Sequence, residues 1–498
     1  MPLVAGLAGT NRHGCVALGE ASGLRAVCQQ ERVTRVRNAG FNSSGLPDEA
    51  LDLLLHRLDR TRSDVARYVL AGGTQESSAG DGIDRHMGHA ATAYLTSPFS
   101  SAAVVVCDRS RPAVSVWQGC DGNIERVEWP WEAPGFSELY SRCAAILGFE
   151  GEAGGQRMEA LARLRPDDRN SRIDGLFSWR GDALDVENSW ESTVGDLHSQ
   201  INRNCLVTAG AGLAAAFQAR IIELLLEFLT AVRQRTNQKH LCLGGSLFYH
   251  SAINAAVRQA RIFDSVFVPV DPGEAGLAVG AALSVLDAPP RQMGPFLGPE
   301  YSSEEIKETL DNCKLQYDWV SGDRGIAIAV DALLKGTLVA WFDGPMEWGP
   351  RALGARCILA NPFMPYVLEN LNRFLKQREP WRGFALSGLS TVVQDHFDGP
   401  SDAQFMECDY RPRDPARFKH VLPMPSASLR LHTVDASAPR RFRRLLEAFG
   451  EASGLPILVN TSFNGFHEPI ACSPRDAVRI FYGTGVDLLV FEQFTVRK

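Results

Sequence analysis

Three short strings in this chain gather side chains that can do chemistry. The densest runs from Glu347 to Ala360: Glu-Trp-Gly-Pro-Arg-Ala-Leu-Gly-Ala-Arg-Cys-Ile-Leu-Ala. Gly349-Pro350 predicts a turn that presents Arg351 and Arg356 just ahead of an apolar strand. The second, Lys376-Gln377-Arg378-Glu379-Pro380-Trp381-Arg382, adds cations on a stiff turn. Arginines held at turns suit bidentate binding of phosphate. A lone arginine usually belongs to a solvated face, so it is the clustering that points to an anion. The third string is Leu455 to Glu468, in which a buried strand, Ile457 to Val459, is predicted to deliver Asn460, Thr461, Ser462 and Asn464 at its C-terminal end. Ligand sites of open α/β sheets lie outside such ends. Amides and hydroxyls there suit a base, a ribose or a carbonyl, although strand-end turns use the same residues.

The elements that must position these groups fall into two parts. Residues 3–20 and 102–119 share one layout: strand, polar turn (Thr10 to His13; Asp108 to Arg111), strand. Such a repeat opens each half of the actin/sugar-kinase type of duplicated α/β domain, though any hairpin looks similar. Ile221, Ile222, Leu224, Leu225, Phe228, Leu229 and Val232 predict an amphipathic helix over about 211–235. A strand from His240 to Leu243 ends in Gly244-Gly245, and a second, Val266 to Val270, leads through a Gly-rich turn into a helix reaching about Leu286. Alternation of this kind predicts a mainly parallel sheet with covering helices. The stretch 287–304 has four prolines, two glycines and no periodicity, and reads as an interdomain linker. A helix over about 303–314 and a strand around 337–342 then open the second part. The division is 1–290 and 300–498.

The 498 residues carry a net charge of -7, so no bulk basic field exists to hold nucleic acid or an anionic membrane. The longest apolar stretches, such as Gly276 to Leu286, fall short of a bilayer span. The N-terminus reads as a first core strand and not as a signal peptide. Eleven scattered cysteines without a C-x-x-C pair fit a reducing cytoplasm and mostly buried thiols.

The three strings together resemble the second domain of the antibiotic and nodulation-factor O-carbamoyltransferases. The resemblance rests on Gly344-Pro345-Met346-Glu347-Trp348 onward, Arg378 to Ala385, and Asn460 to Asn464. It extends more loosely to the first part through His89-Ala90, Ser97-Pro98-Phe99, Gly244-Gly245 and Phe267 to Leu283. It implies a TsaD-like N-terminal domain of actin/sugar-kinase-like fold and a YrdC-like α/β C-terminal domain. The latter makes carbamoyl adenylate from carbamoyl phosphate and ATP with Mg. The former passes the carbamoyl group to a hydroxyl (or amine) of a small-molecule acceptor from secondary metabolism. By motif position, Arg351, Arg356, Lys376, Arg382 and Arg430 hold phosphates and the carbamoyl group, and Asn460, Ser462 and Asn464 complete that pocket. Arg37, Gly244, Gly245, Gly273 and Glu274 fall on the carbamoyl-adenylate strings of the N-terminal domain.

The N-terminal site departs from the family pattern. The family's two outer histidines bind an iron-type metal; here the string is Arg85-His86-Met87-Gly88-His89, with arginine in the first outer position. Glu274 stands where the family has an aspartate ligand, and Asp108 is kept while its neighbouring glycines are lost. Arg12-His13 falls beside the family's catalytic histidine position. His13, Arg12, Arg85 and His89 are therefore the catalytic candidates.

Two readings of this site stay open. In one, His86, His89, Asp108 and Glu274 rebuild a shifted metal site. In the other, Arg85 pairs with Glu274 in the vacated space, and Arg85, Arg109 or Arg111 takes over part of the cation's role. Two further expectations concern layout: the C-terminal domain binds both substrates unaided, and Arg351 and His89 face a common interior space. Alternatives to carbamoyl transfer are a related adenylate-forming acyl transferase and a non-catalytic family member. A homodimer is an open expectation.

Overall fold

The computed structural model describes residues 2–72, 81–201, 206–286 and 289–498. Its N-terminal part is built twice on one plan. The first copy contains β1 (Leu3–Ala8), β2 (Cys15–Glu20), β3 (Gly23–Gln29), β4 (Val65–Ala71) and β5 (Asp81–Ile83), in the order β3-β2-β1-β4-β5. The second contains β6 (Ser101–Cys107), β7 (Val114–Cys120) and β8 (Asn123–Val127). After a small hairpin of β9 (Phe177–Arg180) and β10 (Ala183–Val186) it resumes with β11 (His240–Gly244) and β12 (Ser265–Phe267).

The second order, β12-β11-β6-β7-β8, is the first one reversed. In both copies the first three strands pair antiparallel and the last two add on in parallel. This is the duplicated α/β architecture that the two strand–turn–strand segments announce. β12 stops at Phe267, short of the predicted Val270.

Each copy sends one helix into the space between the sheets, Arg85–Leu95 and Glu274–Leu283. They touch backbone to backbone: a Cβ on Gly280 would stand 2.0 Å from the Gly88 carbonyl oxygen, so only glycine permits the approach. Thr92 Oγ1 closes the contact by donating to the Gly276 carbonyl at 2.5 Å. This pairing fixes Arg85, at the start of one helix, beside Glu274, at the start of the other.

The amphipathic helix is longer than its periodicity predicts, Leu206–Thr236. By length and composition it could cross a membrane, which corrects the sequence reading that no stretch could. Here Phe217, Ile221, Leu224, Phe228 and Val232 are buried in the core beneath the second sheet. Of the cysteines, ten are described and none is disulfide-bonded; Cys120 and Cys313 are exposed, the other eight buried, and Cys205 lies outside the described residues.

The C-terminal part is a second α/β unit on one ten-stranded mixed sheet. Its centre runs Val339–Phe342, Arg356–Ala360, Ile457–Ser462, Ala385–Leu389, Leu429–Val434. The strand Ile457–Ser462 pairs antiparallel with both neighbours. Asn460, Thr461 and Ser462 thus lie within a strand and not beyond its end as predicted. The described portion of the predicted linker is a packed strap. Met293 and Phe296 sit against the N-terminal core, and Leu297 accepts a hydrogen bond from the Val27 amide at 2.9 Å.

Candidate functional site

A cavity of ≈ 170 Å³ lies between the two parts, and five arginines line it: Arg163, Arg351, Arg378, Arg382 and Arg430. Four wall residues, Gln156, Ala160, Arg163 and Leu164, belong to the helix Gly154–Ala162 and the turn after it, so the N-terminal part supplies one side. The sequence reading expects the C-terminal domain to bind both substrates without help from the N-terminal domain's chemistry; this cavity has walls from both parts. The Gly349-Pro350 turn presents Arg351, the strand Leu429–Val434 presents Arg430, and the central strand presents Asn460, Thr461 and Ser462.

The arginines divide by partner. Arg163 bonds Asp409 at 2.6 Å and Glu159 at 2.8 Å, and Arg430 bonds Glu159 at 2.8 Å. Burial alone would raise the Glu159 carboxyl, but Arg163, Arg430 and His250 hold it well below the usual carboxylate range. Arg351 and Arg378 have no carboxylate within ion-pair reach among the described residues. Arg351 donates only to the Tyr249 carbonyl at 3.4 Å; Arg378 bonds Asn372 Oδ1 at 2.7 Å and stacks on Phe384. Burial lowers Arg351 and Arg382, and burial with the charge of Arg382 lowers Arg378 to about 9. Arg430 is pushed down by burial, then by Arg351 and Arg163. These directions express buried positive charge with too few anions, which a polyanionic ligand would relieve.

Three residues assigned by motif to this pocket are used elsewhere. Arg356 is fully buried; its guanidinium donates to the carbonyls of Asp343, Gly344, Ala355 and Pro299 and stacks on Phe342. Lys376 gives its ammonium donors to Ser462 O, Asn464 O and Asn464 Oδ1 at 2.8, 2.9 and 2.6 Å. An ammonium has three donors, so none remains for a phosphate. Asn464 completes that loop by donating to the Glu468 carbonyl. These side chains build the floor on which Arg351, Asn460 and Ser462 stand. Ser462 Oγ itself donates to Asn464 Oδ1 at 2.7 Å, and Asn460 Nδ2 to Ala352 O at 3.0 Å.

A second cluster lies where the paired helices begin. Arg85 Nε bonds Asp108 at 2.7 Å, and its two terminal nitrogens grip both oxygens of Glu274. Asp84 accepts from the Met87 amide at 2.9 Å and so caps the helix that Arg85 opens. Burial acts against both charges, but Glu274 and Asp108 raise Arg85 above its ordinary value, while His89 and Arg85 hold Asp108 far below its own.

His89 Nε2 stands 3.5 Å from Asp108, and His86 Nδ1 is 2.7 Å from Ser115 Oγ. Burial and His89 push His86 down to about 4, keeping it neutral. The donor set does not fit a metal. A guanidinium cannot ligate one, and both carboxylates are turned onto Arg85. Among the described residues no group of three or more His, Cys, Asp or Glu is arranged to hold one. The Arg85–Glu274 pairing expected from the substitutions is what the geometry shows. Arg109 and Arg111 are exposed and form no ion pair among the described residues.

The remaining sequence candidates are dispersed. Arg12 and His13 meet Glu152 at 2.8 and 3.1 Å, with Asn38 on the same carboxylate. No hydrogen bond or ion pair among the described residues joins them to Arg85. Arg37 is exposed and bonds His467 Nδ1 at 2.8 Å, while its neighbours Arg32 and Arg35 cross to the carbonyls of Gly349, Pro469 and Ile470. Gly244 and Gly245 serve packing: at Gly245 the backbone has φ 96° and a Cβ would stand 2.3 Å from the Cys107 carbonyl. Gly273 closes against Tyr249. Neither Arg85 nor His89 lines the arginine cavity, so the expected common space is replaced by two adjoining sites.

Sequence reasoning missed Arg163, Glu159, Asp409 and Tyr249. The one available signal was Glu159 inside the apolar run Met158-Glu159-Ala160-Leu161-Ala162, since a carboxylate there needs a buried cation.

Comparisons with known proteins place the chain in a family. Residues 81–283 match the family model described as carbamoyltransferase N-terminus, and residues 330–498 match the one described as carbamoyltransferase C-terminus. The nodulation protein NolO of Bradyrhizobium diazoefficiens is 33% identical over 301 residues, 57% of this chain and 54% of that protein. The nodulation protein U of the same organism is 27% identical over 421 residues, 76% of this chain and 70% of that protein. An uncharacterized protein of Synechocystis sp. is 29% identical over 466 residues, 83% of this chain and 76% of that protein.

Proposed function

The chain belongs to the carbamoyltransferase family, and from that premise we propose that it activates a carbamoyl group with ATP and delivers it to a small molecule. The substrates of the arginine pocket are carbamoyl phosphate and ATP as its magnesium complex. Atom balance sets the order of events. Water displaces phosphate from carbamoyl phosphate and leaves carbamate. A carbamate oxygen then attacks the α-phosphorus of ATP, the bond to the bridging oxygen breaks, and pyrophosphate leaves. Carbamoyl adenylate results. A hydroxyl or amine of the acceptor then attacks the carbamoyl carbon, loses its proton, and AMP departs.

The observation that carries this reading is the set of five arginines around one cavity. Carbamate and a triphosphate repel each other, and attack requires that their charges be neutralised together. Arg351 and Arg378, free of carboxylate partners, serve as ligands for the phosphates. Arg163 and Arg430, anchored by Glu159 and Asp409, are held rigid for the same purpose. In the second cluster the Arg85 guanidinium is a fixed cation, held by Asp108 and Glu274, with the His89 ring 3.5 Å from Asp108.

The test is pyrophosphate release from ATP that depends on carbamoyl phosphate, followed by a mass search for one added carbamoyl group on candidate acceptors. Pyrophosphate release that ignores carbamoyl phosphate would falsify the reading.

A further inference from the structure

A single element touches both sites. The 3-10 helix Ser246–Tyr249 begins with the Ser246 amide 3.4 Å from Asp108 Oδ1, in the Arg85 cluster. It ends with the Tyr249 carbonyl, which accepts from Arg351 at 3.4 Å and Arg430 at 3.3 Å, in the arginine pocket. At roughly 2 Å rise per residue the four residues bridge only about 8 Å.

The Tyr249 side chain then closes the gap. Its hydroxyl donates to Asp271 at 2.5 Å, and Asp271 also accepts the Gly273 amide at 2.8 Å. A Cβ on Gly273 would stand 2.3 Å from the Tyr249 hydroxyl, so the ring is pressed against the turn that carries Glu274. Asp271 is 2% exposed and senses both sides: its carboxyl is raised chiefly by burial, with Glu274 and His89 among its neighbours, and Arg351 in turn senses Asp271.

We propose that Tyr249 is the partition between the arginine pocket and the Arg85–Glu274–Asp108 cluster, and that the anchors of its backbone are the arginines an incoming anion recruits. This deepens the proposed function and rests on it. At 3.3–3.4 Å the carbonyl contacts are long, and charge-assisted bonds to phosphate oxygens outcompete them. A loaded pocket therefore frees the Tyr249 backbone and leaves the ring held through Asp271. In that arrangement the adenylate passes inward to the second site and water stays out.

The experiment uses the full chain with ATP, magnesium and carbamoyl phosphate and without any acceptor. Pyrophosphate and AMP are followed in a rapid-quench time course. A sealed site makes about one adenylate per chain and stalls: a burst of pyrophosphate with slow AMP release. Tyr249→Ala is expected to keep the burst and to raise the post-burst AMP rate at least tenfold. Water then attacks the carbamoyl carbon, the bond to the AMP phosphate oxygen breaks, and AMP and carbamic acid leave, the latter decaying to carbon dioxide and ammonia. Tyr249→Phe keeps the ring but not the bond to Asp271, and should leak at an intermediate rate. It decides the question if the alanine variant does not fold. A damaged pocket would instead lower the burst, so the two readouts separate leakage from misfolding. A wild-type burst with unchanged post-burst rates in the variants overturns the partition alone. A wild type that gives no burst and no carbamoyl-phosphate-dependent pyrophosphate overturns the adenylate reading and the partition with it.

Discussion

Arg351 offers a sharp test because the structure separates its worth to the ligand from its worth to the fold. Its side chain is half-buried, has no carboxylate partner among the described residues, and makes only a 3.4 Å contact to a carbonyl. Arg430 and Arg163 lie close enough to be lowered or to lower it through like charge. Burial is the largest influence on Arg351, with Glu159 attracting it and Arg163 repelling it, so Arg351→Gln removes a desolvated charge and one weak hydrogen bond, and the melting temperature should change little.

The ligand tells the opposite story. A charge-assisted contact is worth roughly 1.5–3 kcal/mol, so carbamoyl-phosphate-dependent pyrophosphate release should fall about 10- to 150-fold. Pyrophosphate at 100 times its dissociation constant stabilises the wild type by about 2.7 kcal/mol. At the same concentration the variant should gain about 1.3–2.4 kcal/mol less, read as a smaller melting shift. Paired melts with and without pyrophosphate, alongside the release assay, measure both sides. A variant that melts several degrees lower yet releases pyrophosphate at the wild-type rate would refute the reasoning.

Arg163→Gln should behave differently. It leaves Asp409 and Glu159 buried with less compensation, costing roughly 3–5 kcal/mol in a melt, and adding Asp409→Asn should return most of that stability without restoring pyrophosphate release; full recovery of release would remove Arg163 from the pocket's machinery. The C-terminal part, residues 300–498, expressed alone should release no pyrophosphate because it lacks the wall that carries Arg163, and activity in that fragment would show the wall to be dispensable. Burial holds His86 at about 4 and His432 at about 3. Both lie below the ordinary value near 6.5, so the unfolded chain takes up protons first, and stability is full above about 6.5 and lost as pH falls toward 3–4. Melts from pH 7 to 4 should drop less steeply in His432→Gln, and an unchanged slope would count against the assignment. Treatment with a chelator followed by magnesium alone should restore the complete reaction, whereas one tightly bound transition metal per chain, lost together with activity, would contradict the Arg85–Glu274 geometry.

Much of the fold was legible because it repeats. The segments 3–20 and 102–119 look alike in sequence, and the structure builds the same five-stranded order on each. Hydrophobic period marked the long helix, yet its N-terminal turns were missed because Leu206 to Gly210 mix small and apolar residues without a clear face. The strand Ile457–Ser462 was found but cut short. A buried Asn in mid-strand looks like a strand end until its neighbours, here Ser387 and the Ala352 carbonyl, are known to supply partners.

The site was legible in part and for a physical reason. Arg351, Arg382 and Arg430 line the cavity, and Arg356 and Lys376 do not, although all five are basic and were assigned the same role by motif position. Residue type tells that a cation is present. Only the tertiary structure tells whether carbonyls or a cavity receive it. Arg163 and Glu159 could not be placed from sequence, because their partners Arg430 and Asp409 lie 240–270 residues away and no local pattern encodes that distance. By itself the sequence carried the two α/β parts and the arginine-rich strings of the second, and the family resemblance added the expectation that Arg85 pairs with Glu274. Only folding decided that the arginine pocket is shared between the parts and that Tyr249 stands between it and the second site, since burial and close approach are properties of surfaces that meet.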